Sequence, residues 1–421
     1  MIDINLIRES PKLVKESQKR RGASEKDVDK LLDLDKHWRE LKKDVDNLRA
    51  RRNKVSNEIN QAKKQGKNTN ELMKEAREIP EKLQKKEKEM NELKEQRDFL
   101  LREIPNIVDK SIPTGDASKN KVLKTYGKIP NFKFKVKDHA DLLINLNQLD
   151  TKKASEVSGA RFYYLKNDLV KLNYALINFA IDFMRKAGFT MMQPPFMLRK
   201  EALEGALPFG AFEGAIYKIE GEDLYLIGTS EHALNAYYMN ETIQKLPILV
   251  SGISSCFRKE AGTHGKDEKG IFRVHQFEKV EQFVFCKPED SWKYFDFILD
   301  NSIQLYKQLG IPFRVVVLAS GDTGKPPVKT IDLEGWFPSQ KTYRELGSCS
   351  NCTDYQARRS NIRFQDKNEL KFVHTLNNTA IATERMIACI VENNQQKDGS
   401  IKIPKVLWKY AGFKEIKSKK K

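Results

Sequence analysis

The sequence predicts an α+β protein. A long N-terminal antiparallel α-helical hairpin, a coiled-coil arm, precedes a domain built on an antiparallel β-sheet flanked by helices. Heptad repeats in the first hundred residues predict the hairpin. Strand-like runs separated by helical segments predict the sheet. The 421 residues are 39% hydrophobic, which is enough for a sizeable core and excludes a wholly disordered chain.

Residues 31–104 carry the hairpin. The first heptad run consists of Leu31, Leu34, Trp38, Leu41, Val45, Leu48, Arg52, Val55, Ile59 and Ala62. The second consists of Leu72, Ala76, Ile79, Leu83, Lys86, Met90, Leu93, Arg97, Leu100 and Ile104. Residues 65–70 have turn composition, and such a short loop favours self-pairing over the alternative, an intermolecular dimer coil. We expect Pro80 to kink or locally break the second helix.

The net charge of the chain indicates which kinds of partner it could bind. Lys plus Arg number 76 and Asp plus Glu 58, which leaves a formal net charge of +18. Nucleic acid is the first candidate partner and an anionic membrane the second. No apolar run approaches the ~18 residues that span a bilayer, and no secretory signal is visible. The five cysteines suit a reduced cytosol. We expect a cytoplasmic protein that does not bind membranes.

The turn end of the hairpin is strongly basic. Residues 49–67 contain one acid, Glu58, against seven bases: Arg49, Arg51, Arg52, Lys54, Lys63, Lys64 and Lys67. A charge run is often only a solvated helix face. Its position at the far end of a long arm favours a phosphate backbone as the partner.

The rest of the chain divides by composition. We assign residues 1–108 to an N-terminal domain, 109–137 to a basic connector, 138–413 to the α+β domain and 414–421 to a Lys-rich tail that we expect to be disordered. Helices are predicted over residues 168–186 and 292–309. Strands are predicted over residues 248–260, 271–285, 313–318 and 372–376.

The most informative candidate binding residues lie in one segment, residues 256–285, CFRKEAGTHGKDEKGIFRVHQFEKVEQFVF. Two strand-like runs flank a Gly-containing loop. Arg273, Phe277 and Glu281 share parity in the second run, and Arg258 and Glu260 share it in the first, so each set faces one side of a strand. Guanidiniums bind phosphate oxygens bidentately, and a ring face suits a base. The pattern indicates a site for a nucleoside triphosphate and a small second substrate; the alternative is an exposed charged sheet.

Several motifs resemble those of one family. FRKE (257–260), the loop and FRVHQFEKVEQF (272–283) resemble motif 2 of class II aminoacyl-tRNA synthetases, in a form close to that of seryl-tRNA synthetases. GFTMMQPPFM (188–197) resembles the dimer-forming motif 1, and LNNTAIATER (376–385) resembles motif 3. GTSEH (228–232) is similar to the family's serine-binding loop, and YRELGSCSNCTDYQARR (343–359) to its metal and ATP segment. An N-terminal coiled coil is the family's tRNA-binding arm, so the resemblance covers nearly the whole chain.

The resemblance implies ATP as a substrate and Mg²⁺ bridging its phosphates. The implied ATP-binding residues are Arg258, Lys259, Glu260, Arg273, Val274, Phe277, Glu345, Leu346, Gly347, Ser348 and Arg385. Arg258 would hold the α-phosphate and Glu260 would read the adenine amino group. Phe277 and Arg385 would sandwich the adenine, and Arg385 would also reach the γ-phosphate. The Mg²⁺ ligands would be Glu345 and Ser348, and the contact of Val274 would be through its backbone.

The resemblance also implies L-serine as the amino acid. The implied serine-binding residues are Thr229, Ser230, Glu231, Arg258, Glu281 and Thr379, and the implied catalytic residues are Arg258, Arg273, Glu281 and Arg385. Serine would be activated as seryl-adenylate and passed to tRNA(Ser), and to tRNA(Sec) where that tRNA is present. The family works as a homodimer in which one subunit's arm serves tRNA on the other, so the seven basic residues of the arm would contact tRNA.

Some positions depart from common bacterial patterns of the family. Thr379 replaces a frequent Ser, Asn378 a frequent Gly and Gly347 a frequent Ser, and these features look archaeal or eukaryote-like. Two alternatives remain, a class II paralogue that loads another carrier and a non-catalytic tRNA-binding protein. The intact arm argues against the first, and the intact motif arginines and glutamates argue against the second.

We expect a cysteine pair and two histidines to have structural rather than catalytic or metal-binding roles. Cys349 and Cys352 have zinc-ligand spacing, but no second pair completes four ligands, which favours a packing role. His264 and His275 could act as an acid or a base. Adenylation needs no general base, because a carboxylate is already a nucleophile at neutral pH, so we favour structural roles for both histidines.

Overall fold

The computed structural model describes residues 1–208, 210, 213–260 and 269–417. Its helices are α1 (Ile4–Glu9), α2 (Pro11–Arg20), α3 (Lys26–Lys64), α4 (Asn70–Glu103), α5 (His139–Asn145), α6 (Thr151–Ser158), α7 (Asp168–Lys186), α8 (Lys200–Ala206), α9 (Ser230–Tyr237), α10 (Ser291–Leu309), α11 (Tyr355–Ser360), α12 (Thr383–Asn393) and α13 (Trp408–Ala411). The predicted helices over residues 168–186 and 292–309 therefore correspond to α7 and α10.

Seventeen strands alternate with these helices in the described residues. They are β1 (Lys121–Tyr126), β2 (Leu149–Asp150), β3 (Tyr164–Leu165), β4 (Thr190–Met192), β5 (Met197–Leu198), β6 (Tyr225–Leu226), β7 (Thr242–Ile243), β8 (Ile248–Phe257), β9 (Gln276–Cys286), β10 (Phe313–Val317), β11 (Lys329–Phe337), β12 (Thr342–Thr353), β13 (Arg363–Asp366), β14 (Glu369–Phe372), β15 (His374–Ala382), β16 (Ile401–Lys402) and β17 (Glu415–Ile416). The α+β class predicted from the sequence is confirmed.

Residues 2–19 and 23–104 form one compact unit, the arm. Helices α3 and α4 pack against each other, and a short turn joins them where the sequence predicted one. Near that turn, Val55, Ile59 and Ile79 form a small apolar core. Of the two effects predicted for Pro80, the local break is wrong, because α4 runs without interruption from Asn70 to Glu103, and the kink stays a prediction. Ile79 and Leu83 are buried on either side of the exposed Pro80, so packing holds the helix despite the missing N–H.

A buried carboxylate organises the other end of the arm. Asp35 has no exposed side-chain surface and accepts two hydrogen bonds from Arg8, at 2.8 and 2.7 Å. Burial alone would raise the pKa of Asp35, but hydrogen bonds from Arg8 and Arg39 hold that pKa below its usual value. The polar heptad residue Arg97 approaches Asp35 to 3.6 Å and stacks its guanidinium 4.0 Å from the ring centroid of Trp38.

Residues from 105 onward, together with Met1 and residues 20–22, form the second compact unit. Its centre is an eight-stranded sheet of order β1-β10-β11-β12-β15-β9-β8-β4. Every neighbouring pair is antiparallel except β4 and β8, which confirms the predicted sheet type. Helices α7, α10 and α12 pack on this sheet around one large apolar core.

Two segments contain more regular structure than the sequence predicted. Within residues 109–137, β1 pairs with β10 and forms one edge of the large sheet. In the tail, β17 pairs with β16, and Ile416 is fully buried. The prediction of a disordered tail is therefore wrong for residues 414–417, because Ile416 gains a place in the core. Residues 418–421 lie outside the described residues.

Candidate active site

Three of the predicted nucleotide-binding residues lie between the last residue of β8 and the first residue of β9. Strand β8 stops at Phe257 and β9 starts at Gln276, so Arg258, Glu260 and Arg273 lie beyond the strands. The parity argument is wrong for these three residues, because the chain leaves the sheet early and Glu260 adopts a left-handed backbone with φ of 47°. Arg273 and Glu260 still contact each other, since Arg273 Nη1 lies 2.8 Å from Glu260 Oε2. Only Phe277 and Glu281 lie on β9.

A small pocket brings together five of the eleven predicted ATP-binding residues. Its lining residues are Glu260, Ile271, Phe272, Arg273, Val274, Phe277, Ala382, Glu384 and Arg385. Phe272, which the sequence reasoning missed, lies against two guanidiniums. Its ring centroid is 4.3 Å from the guanidinium of Arg344 and 5.3 Å from that of Arg385. An aromatic one residue before a predicted phosphate-binding arginine was the available signal.

A larger cavity of about 620 Å³ adjoins this pocket through Glu260, which lines both. Predicted residues in its wall are Thr229, Glu231, Arg258, Glu260, Glu345 and Ser348. Three of the predicted ATP residues, Lys259, Leu346 and Gly347, are not among the described residues that line either space. The guanidinium of Arg258 lies 5.2 Å from the ring centroid of Phe277.

Oxygen ligands cluster on one wall of the larger cavity. The Ser348 hydroxyl donates to Asp332 at 2.5 Å and lies 3.5 Å from Glu345 Oε1. The positive charge of Arg385, 2.8 Å from Glu345, holds the pKa of Glu345 below its usual value. Burial, together with Glu345, raises the pKa of Asp332 well above its usual value. The sequence reasoning missed Asp332, although β11 pairs it directly with Ser348.

These groups suit Mg²⁺, which prefers oxygen ligands and takes one or two carboxylates together with substrate phosphates and water. The described residues contain no cluster of three or more His, Cys, Asp or Glu side chains that could hold a metal.

Two predicted serine-binding residues, Glu281 and Thr379, contact each other, although neither is among the described residues that line the cavity. Lys279 Nζ lies 2.6 Å from Glu281 Oε2, and the Thr379 hydroxyl donates to the same oxygen at 3.3 Å. All three side chains are buried. Lys279 was missed, although it shares parity with Phe277 and Glu281 on β9 and the same alternation could have found it.

Helix α9 and its N-cap supply three more of the predicted serine-binding residues. Thr229 caps the helix by accepting the Glu231 N–H at 3.2 Å. Burial and the nearby Glu281 raise the pKa of Glu231 to about 7, and Gln356 donates to its carboxylate at 2.6 Å. Ser230 is fully buried, and its hydroxyl donates to the Gly252 carbonyl, so its side chain points into the core.

Two departures from the bacterial pattern of the family touch each other. A Cβ built on Gly347 would lie 2.9 Å from Thr379 Cβ and 3.1 Å from its methyl group. The same Cβ would lie 3.1 Å from the Tyr306 hydroxyl, so a larger residue at position 347 would have to displace Thr379 or Tyr306.

Comparisons with known proteins point to the same family in both the N-terminal and the C-terminal part of the chain. The seryl-tRNA synthetase N-terminal domain matches residues 1–108, and the class II tRNA synthetase core domain (G, H, P, S and T) matches residues 215–394. A serine–tRNA ligase from Thermococcus sibiricus is 48% identical over 99% of this chain and 97% of its own length. One from Nitrosopumilus maritimus is 47% identical over 98% and 99%. The crystal structure of the Pyrococcus horikoshii seryl-tRNA synthetase, complexed with ATP, superposes with a TM-score of 0.95 at 46% identity over 100% of both chains.

The chain belongs to the seryl-tRNA synthetase family. Its enzymatic activity is that of a serine–tRNA ligase. As in that family, class II catalytic motifs and an N-terminal helical arm occur in one chain.

One wall of this synthetase cavity is fixed by residues far away in sequence. Gly324, Pro326 and Pro327 line the cavity. All five carbonyl groups of residues 323–327 accept hydrogen bonds, three from the guanidinium of Arg21 and two from Asn106, at 2.6–3.0 Å. Burial lowers the pKa of Arg21 to about 10. The sequence offered no signal for this contact, because nothing local links residues 21, 106 and 323.

His275 and the two cysteines Cys349 and Cys352 make contacts within the fold. His275 Nδ1 lies 2.9 Å from the Arg258 carbonyl oxygen, and its ring packs 5.1 Å from that of Phe162. His264 lies outside the described residues. Cys349 and Cys352 are both buried, and burial raises the pKa of each thiol well above its usual value.

The basic residues of the arm fall into two groups. Arg49 pairs with Glu87 at 2.7 Å, and Arg51 pairs with Glu75 at 2.6 Å; Lys54 lies 3.9 Å from Glu58. Within the described part of the arm, four others make no ion pair: Arg52, Lys63, Lys64 and Lys67. Across the described ranges, no helix is both long and apolar enough to cross a bilayer.

Proposed function

We propose that the larger cavity and the adjoining pocket bind L-serine and ATP side by side and form seryl-adenylate. The observation that carries this proposal is Glu260, which lines both spaces. A group shared by the two spaces allows a nucleotide in one to meet an amino acid in the other. The ATP-bound Pyrococcus horikoshii relative supports ATP as the nucleotide.

In the pocket, we assign adenine to the space between Phe277 and Arg385, with Glu260 accepting from its amino group. Arg258 and Arg273 then face the phosphates, where their guanidiniums bind oxygens bidentately. Val274 lines the same space, and we assign its contact with ATP to the backbone. We keep Lys259, Leu346 and Gly347 in the proposed ATP segment as backbone neighbours, because their side chains do not line it.

We propose that Glu345 and Ser348 hold Mg²⁺, with Asp332 as the third oxygen donor on that wall. When bound there, Mg²⁺ would neutralise the negative charge of the ATP phosphates. Arg385 contacts Glu345 and so keeps this carboxylate ionised and oriented before the nucleotide arrives.

Glu281, Thr379, Thr229 and Glu231 form the proposed serine subsite, with Ser230 as the buried residue that anchors α9. Glu231 and Glu281 accept from the serine ammonium, and Glu281 with Thr379 contacts the serine hydroxyl. The serine carboxylate, held by Arg258, attacks the α-phosphorus of ATP, the bond to pyrophosphate breaks, and pyrophosphate leaves. Positioning and charge stabilisation by the arginines lower the barrier.

In the second step, a terminal ribose hydroxyl of tRNA takes the seryl group from the adenylate, and AMP leaves. We propose that the N-terminal domain, residues 1–108, binds tRNA(Ser) through the seven basic residues of the arm, and tRNA(Sec) where it is present. The unpaired group, Arg52, Lys63, Lys64 and Lys67, supports this proposal most strongly, because its charges are available to phosphate.

We further propose a cytoplasmic homodimer. Val170 and Tyr174 on α7 and Met197 on β5 leave apolar side chains exposed, next to the sequence that resembles the dimer-forming motif. All five cysteines are free, which supports a reducing compartment.

Two substitutions separate the proposed subsites. Glu281→Ala should abolish serine activation while ATP binding remains measurable by calorimetry, because its partner is the amino acid. Arg385→Ala should weaken ATP binding by at least tenfold, because its guanidinium serves the nucleotide. The reverse pattern would contradict the assignment of the two subsites.

A further inference from the structure

Residues Arg161, Phe162 and Tyr163, the 161–163 segment, lie between α6 and β3 and contact both halves of the nucleotide pocket. On one side, the His275 N–H donates to the Arg161 carbonyl at 3.2 Å, and Arg161 Nη1 donates to the Glu260 carbonyl at 3.3 Å. The ring of Phe162 packs against His275, with 5.1 Å between the ring centroids. These contacts hold the two chain segments that flank the motif 2 loop.

On the other side, the Tyr163 hydroxyl donates to Glu384 Oε1 at 2.5 Å. Glu384 is buried and lines the nucleotide pocket. Its other oxygen accepts the Glu278 N–H and the Thr383 hydroxyl, both at 2.9 Å. Glu384 therefore lies at a fixed position immediately before Arg385, at the first turn of α12.

Two features set this segment apart from an ordinary connecting loop. Arg161 has φ of 62°, a left-handed conformation that a residue with a long side chain adopts only where its surroundings hold it. Burial raises the pKa of Glu384 to about 7, against the opposing effect of the Tyr163 hydrogen bond. Strained backbone and buried carboxyl groups concentrate at functional sites, and here both occur in one chain of contacts.

We propose that the 161–163 segment is a positioning element for ATP. It links the residue that reads adenine, Glu260, to the helix start that carries Arg385, and so fixes the spacing of the two sides of the pocket before ATP binds. Without this link, ATP itself would have to order both sides, and its affinity would fall. The inference rests on the ATP-binding roles proposed above.

Tyr163→Phe is the sharpest test, because it removes one hydroxyl and keeps the ring. We expect the KM for ATP in serine-dependent pyrophosphate exchange to rise about five- to tenfold, the range of one lost ordinary intramolecular hydrogen bond, with kcat and the KM for serine within twofold of the parent. Arg161→Asn removes the guanidinium but tolerates the left-handed backbone, and it should raise the KM for ATP in the same way.

Tyr410→Phe is the matched control. Its hydroxyl also donates to a carboxylate, Asp182, at 2.7 Å, but Tyr410 does not line the nucleotide pocket in the described residues. We expect its KM for ATP to equal that of the parent. A rise in the KM for ATP in this control as large as that in Tyr163→Phe would show a general loss of stability and would overturn the inference.

Arg385→Ala in the same assay distinguishes an error in the proposed nucleotide site from an error in the proposed positioning role. If Arg385→Ala leaves the KM for ATP unchanged, the proposed nucleotide site is wrong, and the inference falls with it. If Arg385→Ala raises the KM for ATP while Tyr163→Phe and Arg161→Asn do not, the site stands and the positioning role is refuted.

Discussion

Lys279 Nζ lies 2.6 Å from Glu281 Oε2, and the two side chains are only 7% and 2% exposed. Thr379 donates to the same carboxylate oxygen. A carboxylate in this position is oriented by two donors before any amino acid arrives. The pair therefore forms part of the serine subsite as we propose it, although only Glu281 has a direct role there.

Replacing Lys279 with Met should raise the KM for serine at least tenfold and leave the KM for ATP nearly unchanged, because the charge that orients Glu281 is lost. Stability should fall by ~3–5 kcal/mol, since removal of one partner leaves a buried unpaired charge. Serine-dependent exchange and chemical denaturation measure the two effects.

The double variant Lys279→Met with Glu281→Gln is the matched control. It removes both charges, so it should recover much of the lost stability while serine activation stays low. Serine activation at the parental level in the double variant would show that the ion pair only supports the fold.

Gly347→Ser should destabilise the enzyme by ~1–3 kcal/mol, the usual effect of overpacking, because the new Cβ meets Thr379. Thr379→Ser in the same chain should restore part of this loss, since it removes a methyl group 3.1 Å from that Cβ. Denaturation of the two single variants and the double variant measures the coupling. Strictly additive effects would show that the two positions are independent.

The arm was predictable because a heptad period survives occasional polar members; Arg97 keeps its place in the repeat by pairing with Asp35 and stacking on Trp38. Strand alternation also placed Phe277 and Glu281 on one strand correctly, because both lie within β9. It misplaced Arg273 and Glu260, because alternation cannot tell where a chain leaves a sheet.

Other features of the site depend on contacts distant in sequence. Asp332 meets Ser348 only through the register of β11 with β12, and Arg21 meets the cavity wall only in the folded chain. At Pro80 the local helix propensity predicted a break, but the packing of the two arm helices overrides this propensity and α4 continues. Long-range pairing therefore accounts for most of what the sequence left unpredicted.

Replacing residues 36–103 with a short linker should leave serine-dependent exchange nearly intact, because Arg21 and Asn106 remain and continue to hold the loop 323–327. Aminoacylation of tRNA should collapse in this variant. Removing residues 1–104 instead should also lower exchange, because Arg21 is lost. Equal exchange by the two variants would contradict the role of Arg21 in fixing the cavity wall.

Substituting Gln for Arg52, Lys63, Lys64 and Lys67 should raise the KM for tRNA and leave the KM values for serine and ATP unchanged. The log–log slope of tRNA affinity against salt should become shallower by about one per lost phosphate contact. The comparison variant has Gln at Arg49 and Arg51, whose guanidiniums are already paired within the arm, and it should weaken tRNA binding less than the fourfold variant does. A parental affinity and slope in the fourfold variant would mean that the basic stretch is only a solvated face.

The most direct test of the account is ATP–pyrophosphate exchange across a panel of amino acids. Serine should drive exchange, and alanine should be poorer by at least ~10³-fold, because a subsite built to bond a hydroxyl leaves Glu281 and Thr379 without that partner when alanine binds. Threonine should be weak, since only pocket shape excludes its methyl group. Exchange with alanine or glycine equal to that with serine would contradict recognition of the serine hydroxyl and the site assignment that depends on it.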